Sequence, residues 1–383
     1  MSAEGSILVL NGGSSSLKFA LFDSSLGLRF KGQISAIGGE PEFAAEGPGG
    51  ERTHARPDRE TLDFILAWLS QKGIAHGSLA ACGHRIVHGG SRYLLPTIVT
   101  DDVEHDLAKL TALAPLQMPA CLSGLRRMRA LAPGVAQIAC FDTAFHATQP
   151  EEAVRLPLPR SYFERGYRRY GFHGLNYEHV TAELPKLAGQ LPLRLIVAHL
   201  GQGASMCAIK DGKSIATTMG YSTADGLVMG TRPGSLDPGA LLAIMRDDRL
   251  TADQLDDLIY RQSGLLGLSG ISADMRTLLQ SSAREAQAAI AQYCYAAACH
   301  AGSLASALEG ADAIVFTGGI GENAPAIRHA IAARLEWLGC IIDPARNRDN
   351  AAELSLPGIT CPAYIVAANE ELVIARHARQ LVS

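Results

Sequence analysis

The chain has 383 residues, 47% hydrophobic and 19% charged, with a formal net charge of −4. Such a composition supports a large buried core with length enough for two domains, excludes wholesale disorder, and offers no electrostatic footprint for nucleic acid. Eight scattered cysteines without a C-x-x-C pair argue against zinc or thioredoxin-like chemistry and are expected to be buried, reduced thiols.

No basic segment followed by an apolar stretch opens the sequence, and no run reaches bilayer length. The longest apolar region, about 286–308, is interrupted by Gln292, His300 and Ser303. A cytoplasmic protein without a membrane partner is expected. In chain order, residues 7–23 predict a β-hairpin around a glycine turn. Residues 38–57, rich in Gly, Pro and charge, predict a surface loop or an irregular hairpin. Apolar residues at 62, 65, 66 and 69 predict a helix over 58–72. Strands are expected near 85–87 and 135–141, and helices near 103–114 and 119–131. A second half begins after about 147, with 195–198 as its first central strand. Helices are expected over 176–189, 237–247, 252–260 and 283–308, then a strand at 313–316 and a helix at 325–337. Strands at 340–342 and 363–367 and a closing helix over 370–381 complete the pattern. Strands alternating with helices predict α/β architecture with sheets covered on both faces.

The first hairpin contains Asn11-Gly12-Gly13-Ser14-Ser15-Ser16-Leu17-Lys18, and a similar turn recurs as His199-Leu200-Gly201-Gln202-Gly203-Ala204-Ser205. Each follows an apolar, β-rich run and leads to an aspartate, at constant register: 199 − 11 = 188 and 211 − 23 = 188. Glycine lets backbone approach a ligand, and the exposed N–H groups of such turns cradle anions. Two copies predict two related domains closing on a polyphosphate. Neither is a P-loop; Gly212-Lys213-Ser214 lacks the upstream glycine, since position 207 is Cys. Thr317-Gly318-Gly319-Ile320-Gly321-Glu322-Asn323-Ala324 matches G-x-G-x-x-A, with Asp343 ending the next expected strand. A nicotinamide dehydrogenase is the competing possibility on that segment.

Arg85 and Arg232 are flanked by glycines, a setting suited to bidentate capture of phosphate or carboxylate or to a structural ion pair. Asp142 ends an apolar strand, where ligand sites gather in α/β proteins, although a helix N-cap would look the same. His173 lies among glycine and aromatic neighbours in a basic stretch. Glu370 and Glu371 open the last helix, where acidic residues also complement the helix dipole.

These segments resemble the acetate kinase family of the actin-like and sugar-kinase superfamily. The matches are NGGSSSLK (11–18), HRIVHGG (84–90), LAPL (113–116), FDTAFH (141–146), RRYGFHG (168–174), HLGQGAS (199–205), GLVMGTRPGSLDPG (226–239), SGLLGLSGIS (263–272), TGGIGENA (317–324) and ANEELVIA (368–375), in family order. The resemblance implies two duplicated actin-like, ribonuclease H-like domains with the active site in the cleft between them. The expected division is 1–147, joined by a returning C-terminal helix at about 373–383, and 148–372. It implies reversible transfer of the ATP γ-phosphoryl group to acetate, giving acetyl phosphate and ADP, with Mg²⁺ (or Mn²⁺) required, in a homodimer. Propionate or another short-chain acid is the alternative acceptor. A nucleotide-binding regulator on the same fold is a further possibility.

By the same resemblance Asn11 and Glu370 are the metal-site residues and Lys18 contacts ATP. Arg85 binds the carboxylate substrate, with Val87, Leu116 and Phe172 lining the acyl pocket. Asp142 matches the family's acidic catalytic residue, and His173 and Arg232 the transition-state stabilisers. Nucleotide-binding segments correspond to His199, Leu200, Gly201, Gln202 and Gly203, to Asp274, Met275 and Arg276, and to Gly319, Ile320, Gly321, Glu322 and Asn323. Acetate is ionised at neutral pH, so Asp142 is expected to orient an arginine or hold the metal through water rather than to move a proton. The chain departs from the family pattern at Gln117-Met118 (usually His-Asn), at Gln202 (usually Asn) and at Thr223, where proline is common. Gln117 removes a possible charge near the phosphate, and Thr223 could shift preference toward propionate.

Overall fold

The computed structural model describes residues 5–13, 16–37, 39–115 and 117–383; Ser14, Ser15 and Leu116 of the motifs lie outside the described residues. Two compact units form. One comprises residues up to Ala144 together with Asn369–Ser383, the other Phe145–Ala368.

The first unit holds an eight-stranded sheet in the order β5-β4-β3-β2-β1-β6-β8-β7. Its strands are β1 (Ile7–Gly12), β2 (Leu17–Phe22), β3 (Leu28–Ser35), β4 (Glu42–Glu46), β5 (Arg52–Ala55), β6 (Ala81–Ile86), β7 (Thr97–Ile98) and β8 (Ala136–Phe141). The glycine turn between β1 and β2 pairs Asn11 with Lys18, whereas β1 and β6 run parallel. Within the stretch at 39–57, β4 and β5 form a hairpin rather than an open loop. β3 escapes sequence prediction because it alternates weakly, with only Phe30 and Ile34 buried. On one face the helix Thr61–Gln71 drives Trp68 edge-on against Phe19, Phe30 and Phe43, with ring centroids 5.3–5.8 Å apart. The closing helix Glu370–Val382 packs on β1, β6 and β8. Gly83 makes that contact possible: a Cβ there would stand 2.4 Å from Ile374 Cγ2.

The second unit holds a five-stranded sheet in the order β11-β10-β9-β12-β13. The strands are β9 (Arg194–Leu200), β10 (Ala204–Lys210), β11 (Lys213–Thr217), β12 (Ala313–Thr317) and β13 (Ala363–Ile365). The first unit's pattern repeats: β9 and β10 form an antiparallel hairpin around glycines, and β9 pairs in parallel with β12. Leu195, Val197, Cys207, Ile209 and Val315 pack against Tyr177, Val180 and Leu184 of the helix Gly174–Ala188. The 25-residue helix Arg284–Leu308 packs on β9, β10 and β11.

Three local expectations change. Residues 340–342 are not a strand, because Ile341 O accepts from Ser355 Oγ and Cys340 N bonds back to Leu335 O instead of entering a ladder. The helix expected over 325–337 spans Pro325–Ala332, followed by a separate turn at Glu336–Leu338. Short helices at Gly264–Ser269 and Met275–Gln280 went unpredicted. Seven cysteines are buried and Cys299 is exposed, all of them free thiols. Among the described residues no helix is long and apolar enough to cross a membrane.

Candidate active site

In the first unit the site is built on strand ends. Asn11 follows the buried run of β1, Arg85 lies near the end of β6, and Asp142 directly follows β8. The parallel strands β6 and β8 deliver both charged residues to the same carboxyl end of the sheet. Asp142 is fully buried and grips Arg85: Arg85 Nε donates to Oδ1 and Oδ2 at 3.0 and 3.1 Å, and Nη2 to Oδ2 at 2.5 Å. Asp142 therefore serves an arginine. Arg85 Nη1 also donates to Asn11 Oδ1 at 3.3 Å, and its Nε lies 3.6 Å from Glu370 Oε2. Burial alone would lower the Arg85 pKa, but the carboxylates of Asp142 and Glu370 outweigh it and hold the pKa above the ordinary arginine value.

Asn11 Nδ2 donates to Glu370 Oε2 at 3.1 Å and to Glu371 Oε1 at 3.0 Å. Asn11, 359 residues from Glu370 in sequence, is thus linked to both acids that open the closing helix. The donor set here is all hard oxygen, which suits Mg²⁺. Among the described residues no cluster of three or more His, Cys, Asp or Glu is placed to cage a metal. Mg²⁺ uses one or two carboxylates plus waters and substrate phosphates, so Asn11 with Glu370 fits that cation.

In the second unit the residues surround the β9–β10 turn. A Cβ placed on Gly203 would stand 2.8 Å from Arg232 Nη2 and 3.4 Å from His173 Nε2; one on Gly201 would stand 3.8 Å from His199 Nε2 and 4.0 Å from Gly319 N. Glycine at both positions leaves that space open, and ring and guanidinium donors border it. His173 occupies the left-handed region at φ 59°, immediately before the helix Gly174–Ala188. That conformation is costly for a non-glycine residue and marks a position held by its surroundings. The His173 and His199 rings stack 4.1 Å apart at 13°. Arg232 donates through Nη1 to Thr223 O at 2.7 Å, and among the described residues no carboxylate neutralises it. Burial pushes its pKa down to about 10. A half-buried guanidinium that no described carboxylate neutralises is chemically suited to an anion.

The Gly318–Asn323 segment follows β12 as a short helix. Glu322 Oε1 accepts from Gly318 N and Ala368 N, both at 2.9 Å, so its side chain braces the turn. Arg328 donates to Gly321 O and Glu322 O at 2.9 Å, holding the same turn from behind. Asp343 accepts from Arg346 N at 2.8 Å and caps a short helix, so the strand-end acid of a dinucleotide fingerprint is missing. Asp274 likewise caps the helix Met275–Gln280, accepting from Arg276 N at 2.7 Å. Met275 is buried, while Arg276 is exposed and paired with Asp274. Leu200 is buried in β9, and Gln202 is exposed, its carbonyl accepting from Gly230 N. Lys18 is exposed on β2.

Arg85, Asp142, Asn11 and Glu370 thus assemble within the first unit, and His173, Arg232, His199, Gly201, Gly203 and Gly319 within the second. Val87 is buried in the first unit and Phe172 in the second; Leu116 lies outside the described residues. Sequence reasoning gave Glu371 no metal-site role, and it missed Asn176, Tyr177 and Ser205. Asn176 and Tyr177 stand three and four residues after His173, a spacing that places them near it on a helix face.

The acetokinase family profile matches residues 6–376. An acetate kinase of Rhodopseudomonas palustris is 44% identical over 390 aligned residues, covering 98% of each chain. The crystal structure of Porphyromonas gingivalis acetate kinase superposes with a TM-score of 0.89 at 33% identity, over 99% of this chain and 100% of that one. A propionate kinase from Francisella tularensis superposes with a TM-score of 0.91 at 33% identity, over 98% of this chain and 99% of that one. The fold is accordingly the actin-like, sugar-kinase type of α/β architecture. By sequence over nearly its whole length, the chain belongs to the acetokinase family.

Proposed function

We propose that the protein catalyses reversible phosphoryl transfer from ATP to acetate. An acetate oxygen bonds to the γ-phosphorus as the bond from the γ-phosphorus to the β,γ-bridging oxygen breaks, in line, leaving acetyl phosphate and ADP. The observation that supports this reading is Arg232, half-buried and without a counter-ion among the described residues, beside the glycine turn that His173 also borders. In a loose phosphoryl transfer, charge spreads over the equatorial oxygens, and fixed donors and cations do most of the catalytic work. Arg232 and His173 supply such groups. Arg85, aligned by Asp142, binds the carboxylate, with Val87, Leu116 and Phe172 as the acyl-pocket residues. The glycine turn at 201–203, together with Lys18, His199, Leu200, Asp274–Arg276 and the 319–323 segment, binds the nucleotide.

Asn11 and Glu370 would hold Mg²⁺, with Glu371 beside them. When bound, that ion adds positive charge to the phosphates and neutralises part of what the arginines do not. Acetate arrives ionised, so no side chain need take its proton. A homodimer fits the helix Pro238–Asp247, none of whose residues is buried and whose Leu242 and Ile244 face solvent. A cytoplasmic location fits the need for ATP.

Protein mixed with ATP, Mg²⁺, hydroxylamine and acetate, propionate or butyrate should yield acyl hydroxamate, most rapidly with acetate. No hydroxamate from any acid refutes the activity. Faster turnover of propionate would assign the pocket with Thr223 to the longer acid; one methylene is worth about 1–3 kcal/mol in such a pocket. Light scattering on the eluting protein tests the dimer, and metal-free protein with and without added Mg²⁺ or Mn²⁺ tests the ion.

A further inference from the structure

Tyr177 is fully buried and packed against the sheet, and its hydroxyl is in short hydrogen-bond contact with Ser205 Oγ. Ser205, also fully buried, sits on β10 with its Oγ 2.8 Å from His173 Nδ1. We propose that Tyr177 and Ser205 are positioning residues that lock His173 as a neutral imidazole with its proton on Nε2. His173 then meets the phosphoryl oxygens as an N–H donor, and Arg232 alone supplies the positive charge at that turn.

Hydrogen-bond satisfaction fixes the direction. Among the described residues the Tyr177 hydroxyl has only Ser205 Oγ to receive its proton, and burial keeps that phenol protonated. A buried donor left unmade would be costly, so Tyr177 donates and Ser205 accepts. Ser205 must then spend its own proton, and its only other described partner is His173 Nδ1. A nitrogen that accepts carries no proton, so the neutral ring bears its hydrogen on Nε2, the atom that borders the Gly203 turn. A second proton on Nδ1 would strand the Ser205 hydrogen inside the core.

The neighbouring groups act in the same sense. His199 from β9 stacks on His173, and its Nδ1 accepts from Asn176 Nδ2 at 2.8 Å, so it too carries its proton on Nε2. Arg232 reaches the same turn from the loop after Thr223, and Tyr177 lies on the helix His173 begins. Two stacked imidazolium rings beside a half-buried guanidinium would repel one another. The result is a stacked pair of neutral rings whose Nε2–H groups both border the glycine turn.

This inference rests on the phosphotransfer reading for its role, but its test needs no turnover. Long-range ¹H–¹⁵N spectra of full-length protein labelled at histidine distinguish a bare ring nitrogen from a protonated one, with His173→Gln assigning the signal. Expected is a bare Nδ1 on His173 from pH 5.5 to 8. Ser205→Ala and Tyr177→Phe should let the ring titrate toward an ordinary value of about 6.5. Ser205→Thr, which keeps the hydroxyl, should restore the wild-type spectrum. In the hydroxamate assay Tyr177→Phe should lower kcat by about 10- to 100-fold, with KM for ATP and acetate within about twofold. Doubly protonated His173 in the wild type at pH 7 overturns the proposal. So do wild-type nitrogen signals across the titration in Ser205→Ala, which decides the matter should Tyr177→Phe fail to fold. Absence of hydroxamate with a bare Nδ1 would refute the activity and leave the tautomer standing.

Discussion

Replacing Asp142 by Asn tests whether that acid aligns a cation or moves a proton. Asp142 accepts from Arg85 Nε and Nη2 through both oxygens. Asparagine keeps one acceptor and turns an N–H toward the guanidinium where the second oxygen stood. The remaining partners of Arg85 are weaker: Asn11 Oδ1 at 3.3 Å and Glu370 Oε2 at 3.6 Å. Removing one member of a buried ion pair costs about 3–5 kcal/mol. The Arg85 side chain is 17% exposed and still faces Glu370, so the lower end, about 3 kcal/mol, is expected for unfolding. A guanidinium displaced by about 1 Å should cost roughly 100-fold in kcat/KM for acetate. Urea unfolding measures the first number, and steady-state kinetics across pH 5.5–9 the second. The variant should show a raised KM for acetate and a pH profile of unchanged shape. If KM for acetate stays at the wild-type value and an ascending limb of kcat disappears, Asp142 transfers a proton and the positioning role is wrong.

Arg232→Ala should lower kcat by about 3–4 kcal/mol in barrier terms, by analogy with the loss of an oxyanion donor; a loss smaller than about fivefold contradicts its role. Gly203→Ala places a Cβ 2.8 Å from Arg232 Nη2 without a left-handed backbone. Its melting temperature should stay within a few degrees while kcat/KM falls at least about tenfold. In contrast, Gly264→Ala, at φ 63° with a Cβ 2.3 Å from Met229 O, should fail to fold stably. His146 is buried between Ser214 Oγ and Phe172 O, and burial lowers its pKa to about 4. The unfolded chain takes up that proton first, near pH 6.5, so the stability tied to the neutral ring is whole above that pH. It declines as pH falls toward 4, by about 2 kcal/mol at pH 5. Urea midpoints at pH 7 and 5 should therefore converge in His146→Gln relative to wild type; an unchanged gap excludes this histidine as the cause.

The parts visible in the sequence are those set by local chemistry. The apolar runs of β1, β9 and β12, the glycines that end them and the helical spacing at 283–308 each follow from residues close in the chain. Periodicity and backbone sterics act over a few residues, so both hairpins and their offset of 188 could be read directly, since 199 − 11 = 188. The short-range signal failed where pairing rather than propensity decides. β3 becomes a strand because β2 and β4 flank it, whereas 340–342 finds its hydrogen bonds in a turn and a serine side chain. The named site residues were available from motifs, but their partnerships were not. Asp142 holds Arg85 across 57 positions, Ser205 meets His173 across 32, and Glu371 reaches Asn11 across 360. Sequence by itself determined which residues carry charge, protons and backbone freedom. Only the tertiary structure decided which of them satisfy one another, because a buried hydrogen bond depends on what lies within about 3 Å in space, however distant in the chain.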